Sequence, residues 1–217
     1  VLFRLGETGV SASLAHAVSA MLPLDEAILA GDLRRLDEIR QRRADAAASY
    51  FAANAGNWSK LRSLHVDEAK VESRIQQLVG KDPIGTFVDL GTGTGRMLEL
   101  FQNQAKRLIG IDMSREMLSY ARSNLARQNA LHAQVRQANL YALPLEDDCA
   151  DVVMLHQVLR YLDSPDSAVR EAARILKPGG KLLIVDFAPH DFENLRNEDA
   201  HRRLGFSADQ IERWLAT

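Results

Sequence analysis

Cysteine, excess charge of one sign and long apolar runs are all scarce in this 217-residue sequence. Cys149 is the only cysteine, which excludes an internal disulfide and a cluster of metal-binding thiolates and favours a reducing cytoplasm. The 27 basic and 29 acidic residues nearly cancel, so these residues alone are not suited to neutralising many phosphates of a nucleic acid. No stretch approaches the roughly 20 consecutive apolar residues of a membrane span, and we expect no membrane partner.

The remaining composition is that of an ordinary globular protein. Hydrophobic residues make up 46% and charged residues 26% of the sequence, which excludes a disordered chain, a collagen-like chain and a coiled-coil rod. Residues 1–6 lack an initiator Met and also lack the basic lead and long apolar run of a signal peptide. We therefore expect that the sequence begins inside a longer polypeptide.

The hydrophobic periodicity changes near residue 82. Before that point, apolar residues recur at helical spacing, most clearly over residues 31–53 and 67–79. After it, short apolar runs alternate with helical segments, and this alternation predicts an α/β fold with a doubly wound, Rossmann-like, mostly parallel sheet. The predicted domains are an N-terminal helical appendage over 1–82, serving as a linker or dimer surface, and an α/β domain over 83–217. The five predicted strands cover residues 86–90, 108–111, 133–135, 152–155 and 182–185.

The sharpest local signal is the sequence Asp-Leu-Gly-Thr-Gly-Thr-Gly over residues 89–95, directly after the first predicted strand. Glycines there let the backbone turn tightly and approach a ligand more closely than any β-carbon would permit. In open parallel sheets, ligands bind at the carboxyl ends of the strands, near the reversal of strand order. A turn that serves the fold alone is the alternative. The residues predicted to hold a ligand here are Asp89, Gly91, Thr92, Gly93 and Gly95.

Asp112 closes the second predicted strand, where a carboxylate can accept hydrogen bonds from both hydroxyls of a ribose. Together with the glycine turn, this acid predicts a ligand that contains adenosine. The spacing G-x-G-x-G differs from the G-x-G-x-x-G of dinucleotide-binding proteins, and the sequence has no G-x-x-x-x-G-K-[ST] phosphate loop. An acid at Asp89 would repel a pyrophosphate but suits an ammonium group, which favours S-adenosylmethionine. A nicotinamide-dependent oxidoreductase on the same fold is an alternative.

Several linked motifs over residues 83–190 resemble those of the class I, Rossmann-like S-adenosylmethionine-dependent methyltransferases. Residues 89–95 resemble the motif that holds the methionine part of the cofactor, and residues 111–114 resemble the ribose motif. Asn139 stands where the family usually has Asp, and its amide oxygen can still accept a bond from the adenine amino group. The resemblance implies that Asp112 binds the ribose, Met113 lies against the adenine, Asn139 contacts its amino group and Leu140 flanks the ring.

Narrower resemblances point to two branches of this family. Residues 143–144 and 176–180 are similar to quinone-ring C-methyltransferases. The second branch consists of methyltransferase domains fused to winged-helix regulators. A fusion of that kind would imply contact with DNA only through a winged helix upstream of this chain. The family also adds two strands after the fifth, so we expect that the C-terminal strands of the sheet are missing from this sequence. The segments similar to methyltransferase domains fused to arsenic-repressor-type (ArsR) regulators are residues 1–5, 50–54, 58, 64–65, 186–191 and 201–206.

Methyl transfer needs alignment and exclusion of water more than a fixed catalytic triad, because the cofactor carries the activation. Three side chains are catalytic candidates on the side of the site that would bind the methyl acceptor. His156 follows the fourth predicted strand, His190 follows the fifth, and Tyr50 lies on the predicted helix over residues 31–53. His156 is favoured as a wall beside the sulfonium, within the cofactor site, over a base. Arg160 is expected to be a solvated helix residue. The other histidines have no metal-ligand spacing, so no metal site is predicted.

The sequence therefore predicts an S-adenosylmethionine-dependent methyltransferase that acts on an unidentified small molecule. The alternative from another class is a regulatory domain that senses S-adenosylmethionine, or its demethylated product S-adenosylhomocysteine, without turnover. Such a domain would signal to a winged helix upstream. The long N-terminal helices favour a homodimer.

Overall fold

The structure, a computed structural model, describes residues 13–14, 17–18, 21, 27–63, 67–193, 195 and 199–216. Its strands are β1 (Ile84–Leu90), β2 (Ala105–Asp112), β3 (Ala133–Gln137), β4 (Ala150–His156) and β5 (Leu176–Val185). The helices in these ranges are α1 (Ala27–Asn54), α2 (Trp58–Ser63), α3 (Glu68–Val79), α4 (Arg96–Phe101), α5 (Arg115–Arg127), α6 (Pro165–Arg174) and α7 (Ala208–Leu215). Short 3-10 turns cover Ala55–Asn57 and Leu159–Tyr161.

The strands form one sheet in the order β3-β2-β1-β4-β5, and every neighbouring pair is parallel. This confirms the predicted doubly wound sheet, since the chain moves outward from β1 to β3 and then returns to the other side of β1. The strand order reverses between β1 and β4, so the carboxyl ends of these strands border the crevice where such sheets bind ligands. Residues 91–95 follow β1 and His156 ends β4, which places both at this crevice.

Each face of the sheet buries its own hydrophobic core. Along β1, Phe87 belongs to one core and Val88 to the other, and Val152 and Val153 alternate in the same way on β4. Helices α3, α4 and α5 contribute to the core of Phe87, whereas α6 contributes to that of Val88. Because both faces are covered, the strands are almost continuously apolar, as is typical of a buried parallel sheet.

Short polar side chains set the starts of three helices. Asp67, Ser114 and Ser207 each accept a hydrogen bond from the backbone N–H three residues later, which caps α3, α5 and α7. Gly80 follows α3 with a φ of +88°, a left-handed conformation in which the helix cannot continue. These helix limits follow from local sequence.

Strand β5 begins six residues before its predicted start. The Pro-Gly-Gly sequence over residues 178–180 lies inside the strand and not in a turn before it. Gly179 takes a φ of +77°, and the register against β4 is irregular between Ala150 and Val152. An irregular strand of this kind stays paired through its partner, which local turn signals do not reveal.

The chain divides into two compact units, Val1–Ala44 and Asp45–Thr217. The second unit holds the sheet and includes residues 45–82; the division after residue 82 into an appendage and an α/β domain stays a prediction. Within the first unit, ion pairs one turn apart line α1, such as that of Arg35 with Asp32. Residues 1–5, with their resemblance to a regulator, lie outside the described residues. None of the described helices combines the length and the apolar character that crossing a membrane requires.

Candidate active site at the carboxyl ends of the strands

The glycine turn over residues 91–95 links β1 to α4 and is held against β2. The N–H groups of Gly91 and Thr92 donate to the Ile111 carbonyl at 2.7 and 3.0 Å. Gly91 takes a φ of +77°, and a β-carbon there would lie 2.3 Å from Cγ2 of Val158. Both the backbone conformation and the lack of space therefore exclude a side chain at this position. The turn presents bare backbone at the carboxyl end of β1.

Asp112 ends β2 and holds the glycine turn through its side chain. Its Oδ2 accepts a hydrogen bond from Gly93 N at 2.8 Å, and its Oδ1 accepts one from Ser114 N at 2.9 Å. Burial raises the pKa of this carboxyl, and the backbone donors at Ser114 and Gly93 oppose the rise. A carboxylate has about four acceptor positions, so these two bonds leave capacity for the hydroxyls of a ribose.

Asp89 is the second acid of the site, and its side chain lacks a complete set of partners. The residue is 2% exposed, and its Oδ1 has no hydrogen-bond partner among the described residues; the same holds for Oγ1 of Thr92. Burial raises the pKa of Asp89 to about 7, and the charge of Asp112 adds to the rise. The Thr92 hydroxyl, which lies near the carboxyl without an aligned hydrogen bond, opposes it. A buried carboxylate with an open acceptor is matched by a ligand that brings a cation with N–H donors.

His156 lies at the end of β4, next to the turn, and is almost fully buried. Burial lowers its pKa to about 3, and the cations Arg62 and Arg160 contribute to the fall. The imidazole is therefore neutral at physiological pH and does not retain a proton taken from an acceptor. Its Nε2 has no partner among the described residues, so the ring remains available for a hydrogen bond to a ligand. This favours His156 as a wall of the site over His156 as a base.

The side chains predicted to contact an adenine follow β2 and β3. Met113 is 58% exposed at the end of β2. Asn139 is exposed, and its Oδ1 accepts a hydrogen bond from Tyr141 N at 2.9 Å, which orients the amide and uses one of its acceptor positions. Leu140 is buried in the core beside Leu90. These residues stand along the same edge of the sheet as the glycine turn.

Phe, Tyr and Trp make up only 6% of the sequence, yet several of these side chains gather with two histidines beside the glycine turn. The indole nitrogen of Trp58 would lie 3.4 Å from a β-carbon on Gly93, so this ring packs on the turn. The ring centroids of Phe51 and Tyr161 are 5.0 Å apart, and those of Tyr161 and His201 are 5.3 Å apart. The set, called here the aromatic belt, consists of Tyr50, Phe51, Trp58, Tyr161, Phe187, His190, Phe192 and His201.

The belt contains the other two catalytic candidates, Tyr50 and His190. The Tyr50 hydroxyl donates to Oδ1 of Asp199 at 2.9 Å, and burial together with this acid raises the pKa of the phenol. Nδ1 of His190 accepts a hydrogen bond from Phe192 N at 3.2 Å, so a neutral ring carries its proton on Nε2. In this arrangement the Tyr50 hydroxyl is occupied by Asp199, and a neutral His190 ring presents a hydrogen-bond donor.

Arg160 is buried at 4% exposure, which contradicts the expectation of a solvated residue. Its Nη1 donates to Oδ1 of Asp186 at 3.0 Å, its Nε to Nε2 of His201 at 3.0 Å and its Nη2 to Gln157 at 3.2 Å. Its guanidinium also lies over the ring of Phe187, 4.6 Å from the centroid. The side chain therefore joins the ends of β4 and β5 to the segment at 201. Sequence reasoning missed it because its partners lie 26 and 41 residues away.

We expect Gly93→Val to abolish the binding of S-adenosylhomocysteine. Gly93 takes a φ of +52°, where a residue with a β-carbon is strained by about 1–3 kcal/mol. The new side chain would also fill the space between the turn and Trp58. Isothermal titration calorimetry measures the affinity, and thermal melting measures the accompanying loss of stability. Gly31→Ala, at a position with nothing within 4 Å, is the control. Unchanged affinity in a folded Gly93→Val protein would mean that the turn faces away from the ligand.

The comparisons with known proteins agree with this geometry. Residues 88–184 match the family described as a methyltransferase domain. The uncharacterized methyltransferase YcgJ of Bacillus subtilis is 31% identical over 105 residues, which cover 48% of this chain and 42% of that protein. The ubiquinone/menaquinone biosynthesis C-methyltransferase UbiE of Vibrio parahaemolyticus is 35% identical over 125 residues, 54% of this chain and 46% of that protein. The chain thus spans about half the length of these relatives.

Solved structures share the fold. A putative methyltransferase of Haloferax volcanii, solved in complex with the Trm112 methyltransferase activator, superposes with a TM-score of 0.65 and 27% identity. The superposition covers 76% of this chain and 74% of that one. Residues 88–184 therefore resemble a methyltransferase domain, and a putative S-adenosyl-L-methionine-dependent methyltransferase of Methanococcus maripaludis shares the fold at 25% identity and a TM-score of 0.55.

Proposed function

We infer, from the match of residues 88–184 to a methyltransferase domain, that this protein is an S-adenosylmethionine-dependent methyltransferase of class I and methylates a small molecule. The observation that carries the proposal is the coincidence of three features where the strand order reverses. These are a bare glycine turn, the Asp112 carboxylate bonded to that turn at 2.8 Å and the buried Asp89 with an open acceptor. An adenosine bearing a cationic tail satisfies all three.

Each part of the cofactor has candidate contacts among the residues of this chain. We propose that Asp112 accepts from the ribose hydroxyls, while Met113, Asn139 and Leu140 surround the adenine. Asp89 and Thr92, whose buried oxygens lack partners among the described residues, would take the amino-acid end together with the backbone of residues 91–95. His156 would form a neutral wall of the site. When bound, the cofactor supplies a methyl group activated by a sulfonium.

The chain's own contribution is alignment and exclusion of water. Holding two reactants close together and correctly oriented lowers the activation barrier by about 7–11 kcal/mol in favourable cases. A dedicated base is therefore not compulsory. His156 is neutral with a pKa of about 3, and Tyr50 holds its proton against Asp199. These side chains therefore favour an acceptor that is nucleophilic without losing a proton to them. The Nε2–H of His190 is a donor for an oxygen on that acceptor.

The test is transfer of a labelled methyl group. The protein is incubated with S-adenosylmethionine carrying an isotopic methyl label and with an extract of small metabolites. We expect label in one or more small molecules and formation of S-adenosylhomocysteine. The Gly93→Val protein is the matched control, since it should bind no cofactor and transfer no label. Binding of a nicotinamide dinucleotide in place of S-adenosylmethionine would contradict the proposal.

A regulatory sensor is the second candidate, and the protonation states support it. Tyr50 donates its proton to Asp199, the lowered pKa of His156 makes that ring a weak base, and Nδ1 of His190 already accepts a hydrogen bond from Phe192 N. A site of this kind can bind S-adenosylmethionine or S-adenosylhomocysteine and report its occupancy without turnover. Tight binding of S-adenosylhomocysteine with no labelled product from any extract favours the sensor over the enzyme.

We further propose that the chain is the C-terminal part of an ArsR-type regulator that acts in the cytoplasm as a homodimer. Residues that carry this resemblance, such as Tyr50, Trp58, Phe187 and His201, lie together in the aromatic belt, which supports a shared role. Reading the gene upstream of residue 1 tests the fusion, and only a short leader there would contradict it. Light scattering tests the dimer, and a monomer at micromolar concentration would refute it.

Asp112→Ala should weaken the binding of S-adenosylhomocysteine by about 1–3 kcal/mol, the cost of losing a buried, charge-assisted hydrogen bond. Because Asp112 also binds the N–H groups of Gly93 and Ser114, we expect a lower melting temperature as well. Calorimetric titration gives the dissociation constant, and Asp82→Ala, on an exposed loop, is the control. A dissociation constant equal to that of the wild type would remove Asp112 from the ribose site.

A further inference from the structure

Arg62 lies on α2, the helix whose first residue packs on the glycine turn. Trp58 and Arg62 are one helical turn apart, so they lie on the same face of α2. The Trp58 indole contacts the turn at Gly93, and the Arg62 side chain is only 12% exposed. The guanidinium is therefore held close to the protein surface on the side of α2 that faces the turn.

The partners of Arg62 hold it loosely. Its Nε lies 3.1 Å from Oε2 of Glu68, but the two atoms are not aligned as a hydrogen bond. Its Nη2 lies 3.8 Å from Oε1 of Glu72, which already accepts from Nε of Arg96 at 2.7 Å. Arg96 also donates to Oε2 of Glu72 at 2.6 Å and to Glu99 at 3.1 Å. Arg96 is thus well bonded, whereas Arg62 is a nearly buried cation whose donors are poorly used.

The same cluster reaches the end of β4. Oε1 of Glu68 accepts a hydrogen bond from Nε2 of Gln157 at 3.3 Å, and Gln157 directly follows His156. Arg62 therefore lies near the glycine turn, on which Trp58 of the same helix face packs. It also lies near the end of β4, because its neighbour Glu68 accepts a hydrogen bond from Gln157. In agreement with this position, its charge lowers the pKa of both Asp89 and His156.

We propose that Arg62 binds the carboxylate at the amino-acid end of the cofactor, an inference that rests on the proposed function. This end of the ligand is a zwitterion, and the Asp89 carboxylate can pair only with its ammonium group. Arg96 and Arg160, which also lie near this edge, already have aligned bonds to carboxylates. An arginine fork suits a carboxylate, because two parallel N–H groups match its two oxygens.

Glu68 competes with the ligand carboxylate for Arg62. The ligand would either displace Glu68 or share the guanidinium with it. Burial raises the pKa of Glu68, so this carboxyl takes up a proton more readily than an exposed glutamate. Protonation removes its charge and frees the guanidinium for the ligand. The present contact between Arg62 and Glu68 is thus compatible with a second carboxylate at the same cation.

The test compares two ligands that differ only in this carboxylate. Calorimetry measures the affinity of the full chain for S-adenosylhomocysteine and for its decarboxylated analogue, which keeps the adenosine, the thioether and the ammonium. We expect the wild type to prefer S-adenosylhomocysteine by about 10- to 100-fold, as for a charge-assisted hydrogen bond. Arg62→Gln should reduce this preference to within about threefold. Arg96→Gln, which disrupts the same ion cluster, should leave the preference unchanged.

The outcomes separate this inference from the proposed function. If neither ligand binds the wild type, the proposed function itself fails. If both bind with equal affinity, or if Arg62→Gln keeps the full preference, the assignment of Arg62 is overturned. Should Arg62→Gln fail to fold by circular dichroism, the wild-type ratio of the two affinities still decides, because a ratio near one contradicts a bound carboxylate.

Discussion

Asp89→Asn is expected to give a folded protein that binds S-adenosylhomocysteine at least about 10- to 100-fold more weakly than the wild type. The same protein is expected to be more stable than the wild type above pH 7 when no ligand is present. The first effect follows from the loss of the carboxylate that would face the ammonium of the ligand. The second follows from the burial of this carboxylate without a partner for Oδ1 among the described residues.

The direction of the pH dependence follows from the raised pKa. Burial raises the pKa of Asp89 from the ordinary 3.8 to about 7. Between these values the folded protein keeps a proton that the unfolded chain has lost, so stability falls as the pH rises through this range. The full penalty is present above pH 7 and amounts to as much as about 4 kcal/mol. Asparagine carries no charge and escapes this penalty.

Urea unfolding at pH 4 and pH 8.5 checks the stability. The wild type should lose more stability than Asp89→Asn over this interval, whereas the exposed Asp82→Asn should behave like the wild type. Equal pH dependence of the wild type and Asp89→Asn would show that the Asp89 carboxyl titrates normally. A buried acid that destabilises the empty protein and binds the cation of the ligand would exchange stability for function.

Arg160→Met is expected to lower the free energy of unfolding by about 3–5 kcal/mol, the effect of leaving one partner of a buried ion pair uncompensated. The side chains of Arg160 and Asp186 are only 4% and 3% exposed. Methionine fills much of the space but donates nothing to Asp186, His201 or Gln157. Among the described residues, the carboxylate of Asp186 would keep only its backbone donors, Phe187 N and Arg160 N.

Urea unfolding at neutral pH measures this effect. Arg170→Met is the matched control, because its ion pair with Asp166 lies at the surface, with side chains 51% and 37% exposed. A surface pair contributes about 0–1 kcal/mol. Adding Asp186→Asn to Arg160→Met should recover part of the loss, since it removes the unpaired charge. A loss no larger than that of Arg170→Met would mean that solvent replaces the guanidinium.

The sequence alone determined the features that depend on neighbours along the chain. The strands of the sheet, the capped starts of α3, α5 and α7 and the glycine turn follow from periodicity and from residues within one turn of each other. The sequence also predicted that residues 89–95 and Asp112 would meet at one edge. Parallel strands bring their carboxyl ends to the same side, and the bond from Gly93 N to Asp112 is consistent with this meeting.

Only the tertiary structure decided how the side chains around that edge are partnered. Tyr50 and Asp199 are 149 residues apart, and Arg160 and His201 are 41 apart, so no local pattern indicates these contacts. The protonation of His156 and Asp89 was equally hidden, because burial sets their pKa values and burial depends on packing. Local sequence fixes helix caps and tight turns, whereas the charge and partners of a buried side chain depend on long-range contacts.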